Sequence, residues 1–500
     1  MNVYSMLADA VRRRANETAV SWGSQRLTYR EFDRTCAALG AWFDAKGCSR
    51  GDRILLFLRN GFEFPALMMA TMRAGLVVVP VNAKLHPREV AWIAGDAEPR
   101  LVITHAEYLD ELRASLETAV ETELVAIETF DLPQPIEAGQ PAAVDPDDPA
   151  WIFYTSGTTG KPKGATLSHR NIIASAVNCL ADVFDFNETD RVLHVAPLSH
   201  GSGIYLIPSL ARGAVNIIYD RAGFRPAEVF DTVASLRITA IAFVAPTMIV
   251  RLLEAPERDD IGSLRGVIYG GATIHLEHIR AAVERFGPIF HQLYGQGEAP
   301  MTISYLPGTA HQGADDETLL SAGYVRAGVE VRIVDRNGDE LPPGEDGEIC
   351  VRGDVVMKGY WRNPDATAKA LRGGWLHTGD IGRFDSGGRL RVLDRRHDTI
   401  ISGGTNIYPK EIEDVIASHP AVDEVVAFGI PDSEWGESVA VAIVSNDPAF
   451  DRAAVLDFCK AHLASFKKPK HIHFVDELPK NAYGKVLRRD LRESVAAGLT

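Results

Sequence analysis

Short apolar runs separated by segments of helical period govern what this chain can become. Val77–Val81, Leu101–Thr104 and Trp151–Tyr154 each have the length of a buried strand, as do Arg191–Ala196, Val215–Tyr219, Ile238–Val244 and Gly266–Tyr269. Near the start, Thr28 and Glu31 stand at capping-box spacing, and Phe32, Cys36, Leu39 and Phe43 follow at helical intervals. Strands alternating with helices predict α/β layers on largely parallel sheets. The stretch Asp131–Pro149, rich in Pro, Asp and Ala, reads as a loop between two lobes. After about residue 320 the texture changes. Val329–Val334, Gly347–Arg352 and Arg389–Leu393 are short strands parted by Gly, Asn and Pro, which predicts a small antiparallel, barrel-like unit. From Asp398 the pattern becomes compact α+β, with a helix from Pro409, strands at Val425–Gly429 and Val439–Val444, and a helix over Ala453–Ala464.

At 500 residues the chain exceeds what one hydrophobic core serves, so more than one domain is expected. The formal net charge of −15 argues against general binding to nucleic acid or to an anionic membrane. Two local basic clusters, Lys467, Lys468 and Lys470, then Arg488 and Arg489, still leave room for a phosphorylated small molecule. Five cysteines without paired spacing fit a reducing compartment and match no zinc pattern. The N-terminal MNVYSMLADAVRRRAN has its arginines after its apolar residues, the reverse of a secretory signal, and no apolar run is long enough to span a bilayer. A soluble, cytoplasmic protein is expected, and a homodimer remains open.

Chemistry concentrates in a few motifs. Directly after Trp151–Tyr154 comes Tyr154-Thr-Ser-Gly-Thr-Thr-Gly-Lys-Pro-Lys-Gly164, where glycines let backbone amides approach phosphate, hydroxyls donate and lysines add charge. It is not a Walker A loop: Thr155 stands where that pattern needs glycine, and Pro162 where it needs Ser or Thr. Further on lie Tyr294-Gly-Gln-Gly-Glu298, His377-Thr-Gly-Asp380, Asp394-Arg-Arg-His-Asp-Thr-Ile-Ile-Ser-Gly-Gly404 and Pro479-Lys-Asn-Ala-Tyr-Gly-Lys485.

These motifs, in this order over nearly the whole chain, resemble the adenylate-forming superfamily of acyl-CoA synthetases, firefly luciferases and peptide-synthetase adenylation domains. The resemblance implies an N-terminal domain over 1–396 that holds ATP and the acyl group, and a mobile C-terminal domain over 397–500. It implies that Thr155, Ser156, Gly157, Thr158, Thr159, Gly160 and Lys161 cradle ATP together with Gly271, Ala272, Tyr294, Gly295, Gln296 and Gly297. Tyr294 would stack on adenine, Asp380 and Arg395 would meet the ribose, and Glu298 would help hold Mg²⁺. Gly297 stands where threonine is usual, and His397 falls on the hinge position that is usually Asp or Lys. Lys485 would bridge the reacting carboxylate and the α-phosphate; Lys485, Glu298 and Thr155 are the implied catalytic set. Gly403 and Gly404 would line the channel for coenzyme A after the small domain rotates.

The acyl site is less sharply written. By resemblance His200 gates it, and Ser202, Leu206, Tyr269, Gly270, Gly271 and Met301 line it. No Asp or Glu occurs between Val195 and Ile207, where amino-acid-activating relatives place a carboxylate, which disfavours an amino acid. An aromatic, hydroxycinnamate-type acid and a medium-chain fatty acid both remain open. The expected activity is a ligase that uses ATP to make an acyl-adenylate and passes the acyl group to coenzyme A. Loading of a carrier protein, luciferase-like oxidation and a non-catalytic binding protein are the alternatives.

Overall fold

The computed structural model describes residues 1–500 except 117–121, 156–161, 222, 257, 259, 396–397, 403–404, 433–435, 448, 464–466, 481–485 and 497–500. A nine-stranded sheet takes the spatial order Tyr324–Val325, Ala299–Leu306, Phe290–Gln296, Gly266–Gly270, Ala240–Val244, Arg191–His194, Val215–Ile218, Thr18–Trp22 and Gln25–Thr28. From Phe290–Gln296 to Thr18–Trp22 neighbours run parallel, and antiparallel strands finish both edges. A seven-stranded sheet orders Gly359–Tyr360, Lys163–Ser168, Pro149–Thr155, Val77–Pro80, Arg53–Phe57, Leu101–Thr104 and Glu123–Ala126, parallel from Pro149–Thr155 onward.

Helices Tyr29–Ala45, Glu63–Arg73, His169–Asn178 and Gly201–Ala211 contribute to one apolar cluster shared with both sheets, through Phe32, Leu39, Leu67, Met68, Ile172 and Leu206. The first of these helices starts at Thr28, whose side chain and that of Glu31 form the reciprocal cap its spacing foretold. Residues between Phe130 and Pro149 run without regular structure, as their composition predicts.

A four-stranded antiparallel sheet follows, in the order Glu330–Val334, Gly347–Arg352, Leu376–Phe384 and Leu390–Arg395. The last unit sets the long hairpin Val422–Asp432/Gly436–Ser445 beside Ile400–Ser402, Thr405–Ile407 and the parallel strand His471–Phe474, with helices Pro409–Ala417, Arg452–His462 and Arg488–Ala496. The strand Phe290–Gln296 runs on through Tyr294, because Ala299–Leu306 folds back and pairs Tyr294 with Ser304 and Gln296 with Ala299.

Candidate active site

Parallel strands expose their carboxyl ends at one rim of the nine-stranded sheet, and such rims are where open α/β sheets take ligands. Gly270, Gly271 and Ala272 stand at the end of Gly266–Gly270, the latter two exposed, and Tyr294 and Gln296 at the end of the next strand. Asp380 is buried on Leu376–Phe384 and reaches this rim. Its Oδ2 accepts hydrogen bonds from Tyr294 Oη at 2.7 Å and from Gln296 Nε2 at 2.6 Å. Gln296 Nε2 also donates to the carbonyl of Thr378 at 2.9 Å, while the Asp380 amide donates to Thr378 Oγ1 at 3.0 Å. An irregularity in the pairing of this strand with Gly347–Arg352, and Gly379 at φ 71°, turn Asp380 toward Tyr294. Arg395 pairs with Asp380 across the two strands through its backbone.

Glu298 follows in the tight link between strands. Tyr360 donates from its hydroxyl to Glu298 Oε1 at 2.6 Å, and the Met357 amide donates to the Glu298 carbonyl at 2.7 Å. Lys163, from the glycine- and threonine-rich motif, lies over the Tyr360 ring at 4.8 Å. Thr155 ends Pro149–Thr155 and faces Gly297 from the other sheet. A Cβ on Gly297 would lie 2.7 Å from Phe153 Cδ1 and would overlap the Thr155 methyl. Gly297 is thus small because Thr155 and Phe153 fill the space that a threonine side chain would need. Gly295 is equally confined, with the Ala299 carbonyl 2.6 Å from where a Cβ would stand.

The loop before Gly201–Ala211 is clamped to the neighbouring lobe. Asn60 donates to the Ala196 carbonyl at 2.9 Å and accepts from the Leu198 amide at 2.8 Å. This sets His200 edge-on to Phe153, ring centroids 5.0 Å apart, with Nδ1 2.9 Å from Ser199 Oγ. Burial pushes the His200 imidazole down to about 4, so it is neutral near pH 7. Beside it stand Phe243 and Met301, two non-glycine residues with left-handed backbones at φ 101° and 58°. Both crowd Gly201: a Cβ there would lie 2.9 Å from Phe243 Cδ1 and 3.0 Å from Met301 Sδ. Phe243 Cζ also lies 3.4 Å from the Cβ position of Gly271. Strained backbones of this kind gather where a site dictates geometry.

Four residues expected at the acyl site stand elsewhere. Ser202 is fully buried and bonded to His194 Nδ1 at 2.9 Å; the far nitrogen of that imidazole meets Asn216 Oδ1 at 2.9 Å. Leu206 belongs to the shared core. Tyr269 packs among Phe290 and its neighbours, its hydroxyl 3.2 Å from His311 Nε2. Gly270 aims its Cβ position at the Leu293 carbonyl, 2.5 Å away on the next strand, so its smallness serves strand packing rather than pocket room. Of the expected lining residues, His200, Gly271 and Met301 come together. Phe243 and Tyr360 were not anticipated. Phe243 sits in an ordinary strand pattern, and only the pairing irregularity between Ile241 and Val244 re-aims it. Tyr360 lies outside every motif.

Ser156, Gly157, Thr158, Thr159, Gly160 and Lys161, His397, Gly403, Gly404 and Lys485 lie outside the described residues. The segments around them are informative. Asp394 accepts from the Lys410 amide at 3.0 Å. Arg488 is largely buried and reaches Asp398 at 3.2 Å, Glu413 at 2.6 Å and Asp394 at 3.8 Å. Lys467 pairs with Glu411 at 2.6 Å, and Lys470 with Asp432 at 3.0 Å. Lys467, Lys470 and Arg488 are therefore engaged with carboxylates, Arg488 most fully. Between the last unit and the nine-stranded sheet, His275 Nδ1 stands 3.1 Å from Asp414 Oδ1, which Lys410 also contacts at 2.7 Å.

Among the described residues no helix is long and apolar enough to cross a membrane. The model of the AMP-binding enzyme family matches residues 7–361, and that of its C-terminal domain residues 411–485. A feruloyl-CoA synthase from Amycolatopsis sp is 36% identical over 486 residues, 95% of each chain. A crystal structure of ATP-bound MatB from Rhodopseudomonas palustris superposes with a TM-score of 0.89 at 31% identity, covering 100% of both chains. The apo form of that protein superposes at 0.79, with the same identity and coverage. With both family models matched in order and the relatives aligned end to end, the chain belongs to the AMP-binding enzyme family and, among adenylate-forming enzymes, to the acyl-CoA synthetases.

Proposed function

We propose that this protein joins a carboxylic acid, aromatic of the hydroxycinnamate type or a medium-chain fatty acid, to coenzyme A through an acyl-adenylate. The observation that carries the reading is the Tyr294–Gln296–Asp380 cluster at the strand rim, with Glu298 beside it. Asp380 would accept from the ribose hydroxyls, since a carboxylate offers roughly four acceptor sites. Tyr294 would stack on adenine, with Gly271, Ala272, Gly295 and the 156–161 loop against the nucleotide. Glu298 is a hard oxygen donor of the kind Mg²⁺ takes, and the hydroxyl of Tyr360 holds it in place. The metal, when bound, offsets charge on the phosphates.

In the first step the substrate carboxylate attacks the α-phosphorus, pyrophosphate leaves, and Lys485 neutralises charge at the reacting centre. In the second, residues 397–500 rotate about His397, Gly403 and Gly404 come to the adenylate, and the thiol of coenzyme A displaces AMP. Closer likeness to the ATP-bound than to the apo relative supports reading the present arrangement as the nucleotide-binding one. The name of the feruloyl-CoA synthase favours the aromatic acid. Five free, buried cysteines fit a cytoplasmic location.

The deciding experiment is ATP–pyrophosphate exchange across benzoates, cinnamates and graded fatty acids, followed by thioester formation with free coenzyme A. Exchange with an acid but no thioester would favour a carrier-protein acceptor. No exchange with any acid would defeat the ligase reading.

A further inference from the structure

In the four-stranded sheet, three side chains with metal-binding donors meet across two neighbouring strands. Glu348 and Cys350 lie on Gly347–Arg352, and His377 lies on Leu376–Phe384, where Cys350 and His377 stand directly opposite in the pairing. His377 Nδ1 is 3.2 Å from Cys350 Sγ and 3.1 Å from Glu348 Oε2. All three donor atoms lie within 4.8 Å of one another. The ligands are 27 and 29 positions apart in the chain, so no short spacing in the sequence announces them.

The donors suit a particular class of ion. Around a four-coordinate Zn²⁺, bond lengths of about 2.0 Å to nitrogen and oxygen and 2.3 Å to sulfur put nitrogen and oxygen about 3.3 Å apart, and nitrogen and sulfur about 3.5 Å. The two contacts of His377 need only a slight spread to meet those values. Thiolate and imidazole select Zn²⁺ and similar borderline-soft cations, whereas Mg²⁺ keeps to oxygen, as at Glu298. The thiol of Cys350 is fully buried, but the cluster lies just under the surface: the Glu348 and His377 side chains are 8% and 7% exposed. Arg372 covers it, donating to Glu348 Oε2 at 2.9 Å from a side chain that is 45% exposed and can swing outward. Burial raises the Cys350 thiol to about 11, with Arg332 and Arg372 pulling the other way. Metals take the thiolate, so a proton leaves Cys350 for solvent as the ion binds.

We propose that Glu348, Cys350 and His377 form a binding site for one borderline-soft divalent cation of the Zn²⁺ type, with water as the fourth ligand. The site is separate from the Mg²⁺ position at Glu298 and does not depend on the ligase reading. The ion would clamp the two strands beside the pairing irregularity that turns Asp380 toward Tyr294. Arg372 competes with it for Glu348.

Co²⁺ and Zn²⁺ added to the reduced full-length protein test this. One Co²⁺ per chain should produce a near-ultraviolet thiolate-to-cobalt absorption band, which Zn²⁺ abolishes by displacement. Co²⁺ at an all-oxygen site gives no such band, so occupancy of the Mg²⁺ position is not mistaken for it. Cys350→Ser should lose the band, although the other four cysteines remain. Glu348→Gln should weaken Zn²⁺ in a calorimetric titration by at least roughly tenfold, the lower end of what loss of a ligand's supporting partner costs. Arg372→Ala, which frees Glu348, should bind Zn²⁺ more tightly than wild type. Absence of the band in wild type, or its persistence in Cys350→Ser, overturns the proposal. Should Cys350→Ser not fold, Glu348→Gln decides, and an unchanged Zn²⁺ affinity there overturns it equally. Weaker binding by Arg372→Ala would mean that Arg372 holds the three side chains together as a hydrogen-bonded network only, and would overturn it too.

Discussion

Tyr360 and Gly297 show how single residues would set the proposed nucleotide site. Tyr360 holds Glu298 by one hydroxyl, and a hydrogen bond to a charged group contributes about 1.5–3 kcal/mol. Tyr360→Phe should lower adenylation roughly tenfold and raise the Mg²⁺ concentration needed for half-maximal rate. A rate loss with an unchanged Mg²⁺ requirement would mean that Tyr360 does not position the carboxylate. Gly297→Thr would restore the hydroxyl usual in the family, but here it meets Thr155 and Phe153. Overpacking of this kind costs about 1–3 kcal/mol. The variant should melt earlier and bind ATP less well; a gain in ATP affinity would show that the strands part easily to admit it. The substitution from threonine was visible in the sequence, but its reason was not, since it depends on two residues some 140 positions away in the chain.

At the scale of elements, what the sequence discloses follows range. Helix caps and strand runs are local, so Thr28–Glu31 and Gly347–Arg352 could be read directly. The acyl lining could not. Phe243 turns toward Gly201 only because its strand slips register against Gly266–Gly270, and Tyr269 and Gly270 face away because of where the next strand lies. A motif places a residue near a site; pairing decides which way it points. The same holds for the contact between helix Pro409–Ala417 and His275. Burial raises the Asp414 carboxyl, but bonds and charge from His275 and Lys410 outweigh it and leave the group below its ordinary value. A depressed carboxyl stabilises above the unfolded value of about 4 and loses that contribution as pH falls through the folded one. Acid unfolding of wild type should therefore show a loss below about pH 4 that Asp414→Asn lacks. Parallel acid profiles for the two proteins would remove this contact from the account.

For the whole molecule, the proposed cycle turns on the last unit. Arg488 ties the final helix to Asp394 and Asp398, which lie on either side of residue 397, so rotation there must rearrange a largely buried charge cluster. Lys485 lies three residues before Arg488 and is assigned to the first step alone. Lys485→Ala should lower adenylation by about a hundred- to a thousandfold, the scale of one preorganised electrostatic donor. It should still convert chemically prepared acyl-adenylate and coenzyme A to thioester. If both half-reactions fall together, the two-arrangement cycle is wrong for this protein.

The segment from Met357 to Trp361 stitches the site together more tightly than any motif reveals. Its amides bond in turn to the carbonyls of Glu298, Thr166 and Gly164, so one short stretch joins the residue proposed to hold the metal and the strand that leaves the glycine- and threonine-rich loop. These amides should act as built-in reporters of occupancy. Deuterium uptake at Met357, Lys358 and Trp361 should slow when MgATP is added, since opening this stretch would then have to release the nucleotide as well. A non-hydrolysable analogue should protect the same three amides, and one binding constant should fit both their exchange and the calorimetric titration.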